Sequence, residues 1–378
     1  MHYPLPDKKT LALILIILSF AVAIVAAAVV SAEAMENDNG NIISDIVSFE
    51  ISAVEAHSDT KEAGGLVIKP ETETENSTEK ESADSDFSFQ LLGDTEMEWT
   101  CGRFFVDPGF AAVDADGNDL SHLVTVESEL KLWKTGEQCI TYSLTDENGK
   151  VQKLVRKVLF VPAELPETVQ TEKTVYLTFD DGPCTYTMRV LDLLDQYGAK
   201  ATFFVVAGAN PYWELVNEIV ARGHSLAIHS SSHEYGKIYS SEEAFFNDIL
   251  AVQERIFAST GEYASVSRFP GGSATARAYC NAHVDGGFEV IEQGLANMGI
   301  RYYDWNIQTE SPDNSPSDSI NRFIYGVPQF ETPISLQHDT ALFSVNALEG
   351  ILNWCVENGY SFGVIDSTTP EVHSKPYT

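Results

Sequence analysis

The chain has 378 residues, 44% of them hydrophobic and 21% charged, enough for two domains once non-globular stretches are set aside. With 56 Asp and Glu against 23 Lys and Arg, its formal charge of −33 argues against nucleic acid and anionic lipid surfaces as partners. Much of that excess sits in one stretch and says little about the folded parts.

Leu11 to Ala32 carries no charge, Pro or Gly. As a helix it would reach about 33 Å, enough to cross a bilayer core. Lys8 and Lys9 precede it, so the positive-inside rule puts the C-terminal bulk outside. Residues 1–34 therefore read as a cytoplasmic tip and single membrane anchor. The alternative is a cleaved signal peptide, because Val30-Ser31-Ala32 and Ala32-Glu33-Ala34 resemble cleavage sites. Both readings export the protein. Residues 35–86 follow as an acidic stalk. ETETENSTEKESADSD at 71–86 has one Ala as its only apolar residue and cannot offset its chain entropy by burial.

Residues 87–163 change to short β-rich runs: Phe104–Val106, Val124–Val126, Cys139–Leu144 and Val151–Val161. DADGNDL at 114–120 and DENGK at 146–150 are turn sequences, and a small β-sandwich is expected. DPGFAAVDADGNDLSHLVTV followed by GEQCITYSLTDENGK resembles the immunoglobulin-like modules of bacterial surface proteins. The five cysteines (Cys101, Cys139, Cys184, Cys280, Cys355) show no zinc-like spacing. Cys101 and Cys139, in one module, are the expected pair if any disulfide forms.

From Thr174 the pattern alternates strand and helix. VYLTF, ATFFVV, LAIH, SVSRF, YYDW, ISLQH and YSFGVI read as strands, with helices at 187–197, 212–222, 242–258, 287–298 and 344–357. Seven such units imply parallel strands with crossover helices, as a barrel or an open doubly wound sheet. Four clusters close predicted strands, where barrel active sites form. In Thr178-Phe179-Asp180-Asp181-Gly182-Pro183, one carboxylate can bind a metal while its neighbour accepts a proton. His229 and His233, four apart, can meet on one side of a helical turn as paired ligands. Arg268-Phe269-Pro270-Gly271-Gly272 offers a fixed charge and a closely approachable backbone N–H. Asp304-Trp305 and His338-Asp339, on separate strand ends, pair a carboxylate with a His, which keeps the His cationic as a general acid requires.

Together these clusters resemble the NodB-homology polysaccharide deacetylases, carbohydrate esterase family 4, over roughly residues 170–368. The resemblance implies a distorted (β/α)7 barrel holding one divalent metal, Zn2+ first, with Co2+, Ni2+ or Mn2+ as alternatives. It implies Asp181, His229 and His233 as ligands, Asp180 as general base oriented by Arg268, and His338 as general acid tuned by Asp304. Trp305 and Leu336 match apolar walls for an acetyl methyl, and the Gly271 N–H matches an oxyanion donor. Where the family often carries an aromatic, this chain has Gly271, so one aromatic wall of the sugar site is expected to be missing. The expected activity is removal of N-acetyl groups from a GlcNAc- or MurNAc-containing polymer, peptidoglycan first. The alternatives are an O-acetyl esterase of xylan-like polymers and a non-catalytic wall-binding module.

Overall fold

The computed structural model describes residues 87–146, 149–310, 313 and 315–374. The expected anchor and stalk lie outside these residues. Among the described residues no helix is long and apolar enough to cross a membrane.

The first module has six strands: β1 (Phe87–Leu91), β2 (Glu96–Thr100), β3 (Phe110–Asp114), β4 (Val124–Ser128), β5 (Gly136–Thr145) and β6 (Val151–Val161). β1 pairs with β3 in one sheet, and the other runs β2-β6-β5-β4, with β2 parallel to β6. Phe89, Ala112, Ile140, Tyr142 and Leu144 form the core between them, on the alternating inward positions of each strand. The same alternation separates the expected cysteine pair. Cys139 points outward opposite Lys157, whereas Cys101 is fully buried beside Val158 and Phe160, and both are free thiols. The carboxylate of Asp114 accepts from the backbone N–H groups of Asp116 and Asn118, so the acids of 114–120 act as turn formers.

Phe104–Val106 is not a strand. Phe104 instead packs edge-on to Phe257 and against Tyr263 of the second domain, whose hydroxyl accepts its N–H. Nearby, Trp133 stacks on Phe246 with ring centroids 4.7 Å apart and donates its indole N–H to Glu242 at 2.9 Å. Lys134 pairs with Glu242 at 2.8 Å, and Lys131 with Glu243. Trp133 is 4% exposed and belongs to the second domain's main core, so the two share one apolar interior.

The second domain runs β7 (Thr174–Asp180), α1 (Thr187–Gln196), β8 (Thr202–Val206), α2 (Leu215–Ala221), β9 (Ser225–Ser230), α3 (Tyr235–Ile238), α4 (Glu242–Thr260), β10 (Val266–Ser267), α5 (Gly272–His283), α6 (Gly287–Asn297), β11 (Arg301–Tyr302), β12 (Ile307–Gln308), α7 (Pro316–Gly326), β13 (Ile334–His338), α8 (Leu342–Glu357) and β14 (Ser361–Gly363). Its curled parallel sheet has eight strands in the order β11-β10-β9-β8-β7-β13-β12, with β14 beside the start of β7. The expected seven strands are all present, and β12 is added. No pairing joins β11 to β12 among the described residues. Only residues 303–306 separate them, so the chain itself links the two edges of the sheet. β7 is buried at all seven positions because helices cover one face and the sheet's interior the other. Tyr176, Phe204, Ala227, Val266, Tyr303, Ile334 and Ile365 fill that interior. The domain also extends past the expected limit of 368: the Val372 carbonyl accepts from Asp304 N, and the His373 ring stacks on Tyr302 at 4.0 Å.

Candidate active site

Every strand of the curled sheet points the same way, so the predicted clusters converge at its C-terminal edge. Asp180 is the last residue of β7, and Asp181 turns away from it at φ 70°. Gly182 follows where a Cβ would stand 2.5 Å from both carboxylate oxygens of buried Asp339. That contact accounts for the glycine of the DDG cluster. His229 lies on β9, and His233 four residues on has φ 57°. The histidines meet across a loop and not on the expected helical turn. Asp248 of α4 holds that loop: its carboxylate accepts from Ser230 Oγ, Ser231 N and Ser232 N. Ser230 Oγ in turn accepts from His233 N at 2.8 Å. A left-handed backbone at a non-glycine residue costs roughly 1–2 kcal/mol. Asp181 and His233 are two of the three such residues described, and both aim ligand atoms at one point.

His229 Nε2 and His233 Nε2 each stand 3.4 Å from Asp181 Oδ1, and one ligand atom from each residue lies within 4.8 Å of the others. About 3.4 Å is the edge of a tetrahedron whose centre-to-ligand bonds are near 2.1 Å. Asp181 Oδ1 is buried and has no hydrogen-bond partner, which is costly unless a cation meets it. The His229 Nδ1–H donates to the Arg268 carbonyl at 2.8 Å, which turns the Nε2 lone pair toward Asp181. Burial alone would raise the Asp181 carboxyl, but His229, His233 and His338 outweigh it and hold the group at about 2. The donor set is one ionised carboxylate and two imidazoles, and it fits a divalent metal.

Arg268, 1% exposed, spends its donors on fixed acceptors. Nη1 reaches Asp180 Oδ1 and Thr178 Oγ1, both at 2.7 Å. Nε takes the Tyr303 carbonyl at 2.9 Å and Nη2 the Asp304 carbonyl at 3.0 Å. The guanidinium also lies 3.9 Å over the Phe204 ring. Asp180 is thus locked in place, with Oδ2 3.9 Å from His229 Nε2.

His338 ends β13 on the face shared with Ile334 and Leu336, its Nε2 3.6 Å from Asp181 Oδ2. Its expected partner is elsewhere. Asp304 is fully buried, and its oxygens accept from Ser273 N, Ser273 Oγ and Ser374 N. The carboxylate beside His338 is Glu310, whose Oε1 is 3.0 Å from Nδ1 and 3.1 Å from the backbone N. The register explains it. β12 pairs Gln308 with Leu336, so two residues further on Glu310 faces His338. Burial would lower the His338 pKa, but Glu310, Asp180 and Asp181 reverse this and raise it to about 9. Sequence reasoning missed Glu310 because β12 is only two residues long and lies in a polar run.

Gly271 and Gly272 have φ 77° and 82° at the start of α5. A Cβ on Gly271 would lie 2.6 Å from Tyr235 Oη, and one on Gly272 3.2 Å from the Trp305 ring. The two glycines therefore form a floor between two aromatic side chains. Tyr235 Oη lies over the position where a side chain at Gly271 would project. Leu336 is 5% exposed and lies one pleat below His338.

A family profile described as "Polysaccharide deacetylase" matches residues 167–291, and one described as "Bacterial surface protein, Ig-like domain" matches 89–159. The chain is 31% identical over 209 residues to a putative polysaccharide deacetylase, YheN, of Bacillus subtilis, covering 53% of this chain and 70% of that one. It is 32% identical over 193 residues to a peptidoglycan-N-acetylglucosamine deacetylase of Bacillus cereus, covering 50% and 68%. Among solved structures, the catalytic domain of peptidoglycan N-acetylglucosamine deacetylase from Eubacterium rectale aligns with a TM-score of 0.52 and 38% identity. That alignment covers 56% of this chain and 98% of the other.

Proposed function

The chain belongs to the polysaccharide deacetylase family, and on that premise we propose that it hydrolyses N-acetyl groups of a GlcNAc- or MurNAc-containing wall polymer, peptidoglycan first. The convergence of Asp181, His229 and His233 beside the Arg268-bound Asp180 carries this reading. Support for the polymer comes from relatives named as peptidoglycan deacetylases. Asp181, His229 and His233 would hold one divalent ion, Zn2+ by their chemistry, which supplies a water of lowered pKa and polarises the amide carbonyl.

The protein's own residues carry the remaining steps. Asp180, held and aimed by Arg268, accepts the proton of the water whose oxygen bonds to the acetamide carbon. The Gly271 N–H has no backbone acceptor among the described residues and donates to the developing oxyanion. A donor of this kind lowers the barrier by about 3 kcal/mol. His338 gives its Nε2 proton to the amide nitrogen as the C–N bond breaks, leaving acetate and a free amine. Glu310 holds the His338 Nδ1–H and favours the cationic ring. Asp304 acts at one remove, through the start of α5 and its carbonyl bond to Arg268. Trp305 and Leu336 shape an apolar seat for the acetyl methyl. We further propose the barrel fold implied by the resemblance, with its ring joined through residues 303–306, and export with residues 11–32 as membrane anchor.

Acetate release by the full chain, from acetylated peptidoglycan fragments, chitooligosaccharides and acetylxylan with and without chelator, tests the reading. Chelator-sensitive release from the first two supports it. Release from acetylxylan alone would make the protein an O-acetyl esterase, and release from none would leave a binding module.

A further inference from the structure

Three aromatic side chains beside the metal site take no part in the steps above. Tyr235, on the loop and short helix following His233, has its ring centroid 5.6 Å from that imidazole. Tyr279, on α5, meets Tyr235 edge-on at 5.9 Å. His283 continues the line one helical turn further, 6.4 Å from Tyr279. Beneath them lies Tyr239, fully buried, 6.1 Å from Tyr235 and 5.9 Å from Tyr279. Its hydroxyl donates to the Pro270 carbonyl at 2.9 Å, which ties this aromatic layer to the loop carrying Gly271.

The arrangement has the features of a built surface and not of core that happens to be exposed. Tyr279 is 37% exposed and Tyr235 half-buried. No protein group among the described residues hydrogen-bonds either hydroxyl. Gly271 lacks the side chain that would collide with Tyr235 Oη. Tyrosine offers a large, rigid face at small entropic cost and a polar tip that seeks a partner. The axial C–H faces of pyranose rings pack on such faces, and their hydroxyls and acetamido groups bond to such tips.

We propose that Tyr235 and Tyr279 form a sugar subsite that holds the pyranose next to the one being deacetylated, so that the enzyme favours chains over single units. The inference rests on the deacetylase reading, and commits to a β-linked amino-sugar chain running from the metal along the exposed face of α5.

The test compares kcat/KM for acetate release from penta-N-acetylchitopentaose and from the single sugar N-acetylglucosamine with the metal-loaded full chain. Wild type should prefer the pentamer. In Tyr279→Ala the pentamer-to-monomer ratio should fall about tenfold, mostly through the pentamer's KM, as expected for loss of one aromatic contact made equally in ground and transition states. Tyr279→Leu keeps Tyr239 covered and so separates ring loss from a packing defect. It should show the same fall, while Tyr279→Phe keeps most of the preference. An unchanged ratio in both Ala and Leu variants, with wild type active, overturns the subsite and leaves the deacetylase intact. No acetate from any acetylated glycan in wild type overturns the deacetylase reading and the subsite with it.

Discussion

Replacing Glu310 by Gln should move the alkaline limit of activity downward, and replacing Asp304 by Asn should not. The Gln side-chain oxygen can still accept from His338 Nδ1 and N, so geometry is kept and only the charge is lost. Glu310 has no other ion-pair partner among the described residues. By contrast, Asp180 is neutralised by Arg268, and Asp181 shares its charge with any bound cation. Of the three carboxylates that raise His338 from 6.5 to about 9, Glu310 is therefore the one whose effect persists in the loaded enzyme. A lone carboxylate at such a distance shifts a neighbour by about one to three pKa units.

The proton donor is the charged ring, so activity persists until pH rises through the folded pKa of His338. Without Glu310 that fall should begin about one to two units lower. The sign for stability agrees. A His with a raised folded pKa contributes fully below its unfolded value of 6.5, and the contribution fades as pH climbs through about 9. Thermal midpoints of wild type should thus fall across that window, and those of Glu310→Gln should fall less. The assay is kcat/KM for acetate release from about pH 5 to 10, with metal content and circular dichroism checked for each variant. An alkaline limb that stays in place in Glu310→Gln, or one that drops in Asp304→Asn while Glu310 is intact, would refute the assignment. Asp304→Asn should instead lower the thermal midpoint, because a buried carboxylate accepting from Ser273 and Ser374 is lost.

Four further outcomes follow from contacts at the site and at the Trp133 seam. Purified protein should carry about one equivalent of divalent metal, and His229→Ala/His233→Ala should carry essentially none, as read by elemental analysis. Asp180→Asn should keep that metal, since Asp181 and both histidines remain, yet lose roughly 10²- to 10⁴-fold in kcat. Trp133→Ala should cost about 3–5 kcal/mol in chemical denaturation, because the ring is buried against Phe246 and bonded to Glu242. For the same reason residues 170–374 expressed alone should be less stable than residues 87–374, with Phe246 and the flank of α4 uncovered.

Most of the site could be read from the sequence because its residues end well-marked strands. VYLTF, LAIH and ISLQH are apolar runs that stop abruptly at Asp180, His229 and His338, and parallel strands bring their ends to one edge. Besides the four-residue α3, the helices missed are α5 and α7, which begin with glycine or proline and carry many small polar residues, blunting the helical period. α7 did have a readable start, with Ser315 accepting from Asp318 N and Pro316 in the first turn. Phe104–Val106 looked like a strand because its residues are apolar and bulky. Phe104 serves the neighbouring domain, Phe105 packs on Phe160 within its own module and Val106 is exposed, and periodicity cannot distinguish these uses from a strand.

Pairings between strand ends were the part that could not be read. Asp304 stood beside Trp305 and seemed the natural companion of His338, whereas Glu310 sat in a polar stretch with no visible strand. Which of the two faces the imidazole depends on β12 lying against β13 in a particular register, and two residues leave no periodic trace. The same limit explains the loop holding His233. Asp248 anchors it from the middle of α4, eighteen residues beyond Ser230, where it reads only as one acid on an amphipathic helix. A strand end tells which side chains arrive at a site. What orients them is set by neighbours distant in sequence, so Glu310 and Asp248, more than the ligands themselves, are where this chain's chemistry is open to tuning by substitution.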